Sequence, residues 1–546
     1  MDTIMVQSKS KKLTFKLARC YWLGVFPLSV ISTVNAAETR FEPLFETALY
    51  AYQIKPGLNG DKDNGGALEL SPALVWYRNA ANMQTNFNWR HSSVLYEEDE
   101  RDNSSFDDIE FSNVFFAFDK RLSWDITARQ NYVVRDTRQG IFSDKITGSD
   151  KLSKNQSYGS SLRYKNAESA KYRTEATLRF NESDSEAPEV ESDFSDFGDF
   201  STTNYALNWA LGTNARALNF FWLYEGDVQE VERTSLSSYS ARRHGVIVGL
   251  PIAPSISAVA RAGSERANNQ ANFDNKYEYF GAGVEYRFGA ISRINVTMNR
   301  SDSSVGDART ETDTYVASDF LFAPSRRTRI EGSLDRRYFG RTLTVQGNYN
   351  LRFLSISVST SDSVTTQNLF DNELQNLGVF VCPTGSANFA DCFKPPSNQY
   401  VPVFGESLQQ ISANNAELRQ ELVQAKRHNV VIAYSRSRLN LSLNVSEITT
   451  DYIEREDSNT NQNVSLQTSW ILNDHNKLVS NLSYYDIDYQ GENRKDKNIS
   501  LEFGLNTKLS AKSEMSVTLR RLDRESTLEE FDNSENRIWL SFQHRF

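Results

Sequence analysis

The 546-residue sequence predicts an all-β protein, a single large antiparallel transmembrane β-barrel of about 24 strands within a range of 22 to 26. Three observations carry that prediction. Apolar and polar residues alternate with a period of two along nearly the whole chain after Ala37. The connections between the alternating segments switch regularly between short and long. The segments run about 10 to 14 residues, longer than the ~5–6 of ordinary globular strands and suited to the ~9–11 tilted residues that cross a bilayer. No run of about 18 apolar residues follows the first 36, which excludes a polytopic helical membrane protein.

The first element is an export signal. Lys9, Lys11, Lys12, Lys16 and Arg19 precede an apolar run from Cys20 to Ile31, and Val34-Asn35-Ala36 supplies small residues. This pattern predicts a signal peptide over residues 1–36, cleaved before Ala37. The apolar run is too short to span a bilayer, which takes ~20 residues. Cys20 follows Arg19 rather than a small residue, so it does not read as a lipid attachment site. Removing residues 1–36 takes away a net charge of +4 and leaves the barrel, residues 37–546, at −14. A chain this acidic lacks the basic footprint of a nucleic-acid binder. Three Cys in so long a chain exclude a disulfide scaffold.

The strands follow in series. The first is expected near Phe41, which leaves no room before it for a plug or a periplasmic domain. Ile294, Val296 and Met298 alternate cleanly with polar neighbours. So do Leu439, Leu441, Leu443 and Val445, then Val464, Leu466 and Trp470, then Ile499, Leu501, Phe503 and Leu505, and then Met515, Val517 and Leu519. Short turns are expected near 79–82, 119–121, 167–170, 212–215, 251–254, 288–290, 324–326, 351, 435–437, 473–476 and 510–512. Longer polar stretches are expected near 54–66, 97–106, 136–156, 182–201, 227–236, 265–276, 302–311, 364–416, 451–460, 490–497 and 525–534. At 338–340 a long stretch is due and a short one is found. A soluble sandwich has no reason to segregate loop length by end, whereas a membrane barrel has tight periplasmic turns and long extracellular loops. An even strand count then places both termini in the periplasm. The modest 39% of hydrophobic residues suits a wall with one face on water, and the 12% of aromatics suits girdles at its rims.

The inward face of so wide a barrel must enclose a lumen. Glu285, Arg287 and Arg293 around one turn, and Arg520 on a late strand, are candidate lumen-lining charges. Such groups either set solute selectivity or pair across strands and hydrate the wall. The loop 364–416 is the one long enough to act as a plug. It contains Cys382 and Cys392 in VCPTGSANFADCF, a candidate disulfide in a compartment that permits one, with two free thiols or a metal pair as alternatives. Leu408, Ile411, Leu418, Leu422 and Ala425 fit one face of an amphipathic helix, while the competing reading makes residues 417–434 the start of strand 18. The acidic stretch 182–201 lacks the fixed spacing of a calcium loop and reads as solvated. His91, His244, His428, His475 and His544 sit in no HExxH, GxSxG or CxxC context. A barrel can still assemble a triad from distant strands, but the expectation is no enzyme, with no catalytic, metal or cofactor site.

The chain closes with Ile538, Leu540, Phe542, His544 and Phe546 on one face of its last strand. Ile538, Leu540, Phe542 and Phe546 resemble the assembly signal read by the barrel-assembly machinery of bacterial outer membranes, with His544 departing from the usual residue. Together with a signal peptide leading directly into a barrel, the stretch PVFGESLQQISANNAELRQELVQAKRHNVVIAYSRSRLNLSLNVSE (402–447) and the closing RIWLSFQHRF resemble the outer-membrane β-barrel family associated with PEP-CTERM/exosortase systems. The resemblance implies an outer-membrane component of polysaccharide production or surface-protein sorting, with no catalytic residues or cofactor to carry over. The partners it implies are outer-membrane lipid and lipopolysaccharide and periplasmic polysaccharide-export components. The expected function is a passage for exopolysaccharide with 364–416 as its gate. The alternatives are a structural or adhesive surface barrel and a general diffusion porin.

Overall fold

The computed structural model describes residues 38–546 except 58–61, 99–100, 136, 168, 189–198, 214–219, 235, 270–273, 290, 306–309, 367–379, 384–391, 396–405, 410–421 and 454–456. The expected signal peptide, Ile411, Leu418 and most of the loop 364–416 therefore lie outside the described residues.

The strands in chain order are β1 (Glu38–Pro56), β2 (Asp63–Ala80), β3 (Met83–Tyr96), β4 (Ser104–Ala117), β5 (Leu122–Val134), β6 (Leu152–Lys165), β7 (Tyr172–Ser185), β8 (Phe200–Thr213), β9 (Phe221–Arg233), β10 (Tyr239–Ala253), β11 (Ile256–Asn268), β12 (Asp274–Arg287) and β13 (Arg293–Val305). They continue as β14 (Glu311–Ser325), β15 (Thr328–Arg337), β16 (Gly340–Asn350), β17 (Leu354–Thr366), β18 (Phe380–Pro383), β19 (Glu406–Gln409), β20 (Leu422–Arg436), β21 (Leu439–Tyr452), β22 (Asp457–Ile471), β23 (Asn476–Tyr489), β24 (Arg494–Lys508), β25 (Ser513–Ser526) and β26 (Asn533–Arg545). All but β18 and β19 belong to one 24-stranded antiparallel sheet. It closes where β1 pairs with β26, from Leu44↔Arg545 to Pro56↔Asn533. β17 pairs directly with β20, while β18 and β19 form a ladder of their own. Closure leaves no open strand edge, which is what lets a sheet stand in lipid.

The two faces of the wall differ as the alternation requires. Phe503 pairs with Leu519, and Leu519 in turn with Ile538, so that three outward side chains lie side by side at 47%, 53% and 46% exposure. Leu505, Val517 and Leu540 form the next row of the same belt, and Met515 and Phe542 begin the one below. An exposed apolar surface of this continuity belongs against hydrocarbon rather than water. The rim with the short turns exposes Phe41, Phe118, Tyr172, Phe220, Tyr286 and Trp470, an interfacial girdle. The belt and girdle place the protein in the outer membrane. Ile538, Leu540, Phe542 and Phe546 all face outward, and the Phe546 N–H donates to the Pro43 carbonyl at 3.0 Å, tying the end of the chain to β1.

β1 begins, and β26 ends, at the rim of the short turns. The two-residue connection at 338–339 is the exception on the opposite rim; Gly340, at φ 126°, allows the reversal there. Three expectations are corrected. Leu422–Arg436 is a strand paired along its length to β17 and β21, so the helical reading of Leu422 and Ala425 fails, because an amphipathic spacing also satisfies a strand once both neighbours offer a ladder. Leu408 lies in β19. The connection expected at 136–156 ends at Lys151 and, as described next, turns inward instead of outward.

Candidate functional site

The lumen is lined by side chains of the inward register. On β21 to β23 these form a neutral patch: Ser442 opposite Gln467, Asn444 opposite Ser465, and Ser465 opposite Ser483, which faces Ser500 on β24, two residues from the inward Glu502. Hydroxyl and amide groups dominate, and among the described residues the side-chain acceptors of Asn444, Asn461 and Asn463 take no hydrogen bond from the protein. The charged residues expected in the lumen do face it, and they are paired. Glu285 is 1% exposed and held by Arg287 at 2.7 Å and Arg293 at 3.5 Å. Arg287 also lies over the Phe221 ring, 5.3 Å from its centroid. Arg520 contacts Asp144 at 2.7 Å and Glu535 at 3.1 Å.

Asp144 belongs to the connection 135–151, which crosses the inner wall. It leaves β5 and returns to β6, and apart from Arg135, which contacts Ser185 on β7 and the Phe200 ring on β8, its contacts reach β23 to β26 and β1 to β4. β5 and β26 are five places apart in the ring, about 24 Å of wall at ~4.8 Å per strand, so only a segment inside the lumen can reach. Arg537 grips the Asp144 carboxylate at 2.8 and 3.2 Å, and the N–H groups of Ile146 and Thr147 donate to it at 3.0 and 3.2 Å. Thr147 donates to Glu535 at 2.7 Å. Burial alone raises the Asp144 carboxyl, but Arg520 and Arg537 outweigh it and hold the group well below the usual carboxylate range. A second anchor is the Arg138 carbonyl, which accepts from Arg494 at 3.0 Å and Arg524 at 2.8 Å. Both arginines also hold Asp496, and the Arg494–Asp496 pair is shut off from solvent at 0% and 1% exposure. Apolar contacts finish the dock: Ile141 packs with Tyr485, Ile487 and Tyr489, and Ile146 with Tyr52, Val94 and Phe106.

A second inward segment is the tip of the β15–β16 hairpin. The β14–β15 ladder runs only from Ser325↔Thr328 to Ser318↔Leu334, and the β16–β17 ladder only from Asn350↔Ser355 to Val345↔Thr360. Beyond those points the hairpin strands pair with each other alone, as Asp335↔Thr342 and Arg337↔Gly340. The freed tip reaches β11, four places away in the ring: Arg261 contacts Asp335 at 2.5 Å, and Arg337 is paired to the buried Glu265. Tyr338 at its apex packs against a buried cluster of Val231, Tyr239, Ala267 and Leu422. The short connection at 338–340 is thus a hairpin folded into the lumen. Tyr338→Ala should loosen the tip by about 3–5 kcal/mol, the cost of emptying an aromatic site, visible as faster thiol labelling of a cysteine placed at Arg341.

The third segment is the disulfide Cys382–Cys392. Both cysteines pack with Phe380 against Val431 and Ala433, inward residues in the half of β20 that leads to the short turns. Asn440 donates to the Cys392 carbonyl at 3.1 Å, and Lys394 to the Leu351 carbonyl at 2.6 Å. Burial lowers the Lys394 ammonium from its usual range. The described part of 364–416 therefore descends through the lumen. Sequence reasoning named this loop and Arg520 but missed 135–151 and the hairpin tip; the odd connection at 338–340 was the one signal for the latter.

No group of three or more His, Cys, Asp or Glu among the described residues is arranged to hold a metal ion. Of the acidic stretch, Glu182 and Asp184 lie in β7 and Glu186 pairs with Lys154 at 3.0 Å, while residues 189–198 lie outside the described residues. No protein-family model matches the chain, and no curated protein does. Among solved structures, the siderophore receptor PirA from Acinetobacter baumannii matches at 7% identity and a TM-score of 0.40, over 92% of this chain and 80% of that one. The FrpB iron transporter from Neisseria meningitidis matches at 9% and 0.41, over 92% and 81%. OccK2 from Pseudomonas aeruginosa matches at 8% and 0.36, over 93% and 98%.

Proposed function

We propose that this outer-membrane barrel is a passage for a neutral, hydroxyl-rich polymer, an exopolysaccharide exported in a PEP-CTERM/exosortase-type system. The observation that carries the reading is the inward patch of Ser, Asn and Gln on β21 to β23, continued by Ser500 on β24. Amides and hydroxyls exchange hydrogen bonds with sugar hydroxyls. The three inward segments form the constriction, and the rim of short turns faces the periplasm, where export components dock. The barrel-assembly machinery reads the terminal strand.

The test is planar-bilayer recording of the purified barrel. Neutral oligosaccharides added on the short-turn side should interrupt the current in a concentration-dependent way, and charged solutes of equal size should do so at least tenfold less effectively. Equal block by both would favour a general diffusion porin. A barrel that conducts neither in its full form nor with its inward segments removed would overturn the reading in favour of a structural or adhesive one.

A further inference from the structure

On the lipid-facing side of β3 and β4, across the wall from the docked connection 135–151, three polar side chains are joined in one line. His91 Nδ1 lies 2.9 Å from Asp107 Oδ1, and His91 Nε2 lies 3.0 Å from Ser93 Oγ. The register produces this: His91 and Ser93 are two apart on β3 and share a face, and Asp107 is the residue directly opposite His91 on β4. That face is the outer one, because Leu95 of the same register is exposed while the alternate residues Ser92 and Val94 are buried inside. Trp89, next along the same face, donates its indole N–H to Asp107 at 3.3 Å and holds the carboxylate toward the imidazole.

The height is also informative. His91 is eight residues along β3 from Met83, and Arg521 is eight along β25 from Ser513. At Arg521 and Asp523 the apolar belt gives way to an outward ion pair of 2.7 Å, so His91 stands at the edge of the hydrocarbon, where lipid acyl esters lie. The His91 and Asp107 side chains are 32% and 46% exposed, so a lipid can reach them.

We infer that Ser93, His91 and Asp107 form a serine-hydrolase triad whose substrate is an acyl ester of a membrane lipid. Asp107 fixes the proton on His91 Nδ1, so Nε2 is the base facing Ser93. Ser93 Oγ forms a bond to the ester carbonyl carbon while its proton passes to Nε2. The carbon–oxygen bond of the ester then breaks, and the departing alcohol takes that proton. Water adds to the acyl-serine, giving a proton to Nε2; the carboxylic acid leaves and Ser93 regains its proton. No oxidant or co-reactant other than water is consumed. The inference does not depend on what passes the lumen.

The experiment uses the full barrel in mixed micelles, with a fluorophosphonate probe and two substrates, a fluorescent-acyl phosphatidylethanolamine and acylated lipid A. Fluorophosphonate should label Ser93, and fatty acid should be released from at least one lipid; release from one alone identifies the substrate. Ser93→Ala and His91→Ala should each cut release by about a thousandfold or more, with heat-modifiable gel mobility unchanged to show an intact barrel. Absence of Ser93 labelling, or release no greater than that of Ser93→Ala, overturns the inference.

Discussion

Asp144→Ala should raise the frequency of large-conductance openings by about tenfold to a hundredfold. The Asp144 carboxylate accepts from Arg537 and from the N–H groups of Ile146 and Thr147, and pairs with Arg520. A hydrogen bond to a charged group contributes about 1.5–3 kcal/mol, and 1.4 kcal/mol is a factor of ten in a population. The wall should survive the change, because Glu535 still pairs with Arg520 at 3.1 Å and Arg537 at 2.7 Å. The loss falls on the connection 135–151, which is left with the Arg138 carbonyl, the Thr147 bond to Glu535, the Lys145–Asp108 and Arg138–Glu492 pairs and its apolar contacts. The same site sets a pH dependence. The docked carboxyl lies below its undocked value, so its stabilisation is fully present above the ordinary carboxylate pKa of about 4 and is lost progressively as pH falls from there through the depressed docked value. Openings of the wild-type barrel should therefore stay rare from neutral pH down to the ordinary carboxylate range and complete their rise only well below it. A wild-type rise in openings centred near that range would show Asp144 to be undocked.

Val517→Arg should cost about 2–4 kcal/mol, the penalty for a cation on the lipid face near the bilayer midplane. Val517 faces outward between Leu505 on β24 and Leu540 on β26, in the middle row of the apolar belt. The neighbouring inward residue is a stringent control. Ser516 faces the lumen opposite Ser541, so Ser516→Arg should change folding by well under half as much. Urea-dependent folding into lipid vesicles measures both. Equal costs at the two positions would mean that the outer face does not meet hydrocarbon.

The wall was legible because its rule is local. Alternation such as Ile499, Leu501, Phe503 and Leu505 repeats within one strand, and the turns at 437–438, 472–475 and 509–512 need only a break in that rhythm. The lumen was legible in its own charges but not in their partners. Arg520 reads as inward from its strand, yet Asp144 lies 376 positions earlier and becomes its neighbour only after the ring closes between β1 and β26. A polar connection destined for the lumen has the same composition as one destined for water, which is why 135–151 passed for an extracellular loop. The hairpin tip left a trace, a two-residue turn where length was due, but its direction is set by Glu265 and Arg261 on a strand four places away. His91, Ser93 and Asp107 were hidden for a related reason. Two of them share a strand, and the third is brought opposite by register alone.

The measurement that bears most directly on the constricted passage is the single-channel conductance of the wild-type barrel beside a variant in which residues 137–150 are replaced by a short Gly-Ser linker. The segment spans wall positions from β4 to β23, so its removal should increase the conductance at least severalfold and lower the fraction of time spent closed. An unchanged conductance, in a variant shown by heat-modifiable mobility to be folded, would contradict a lumen narrowed by this segment.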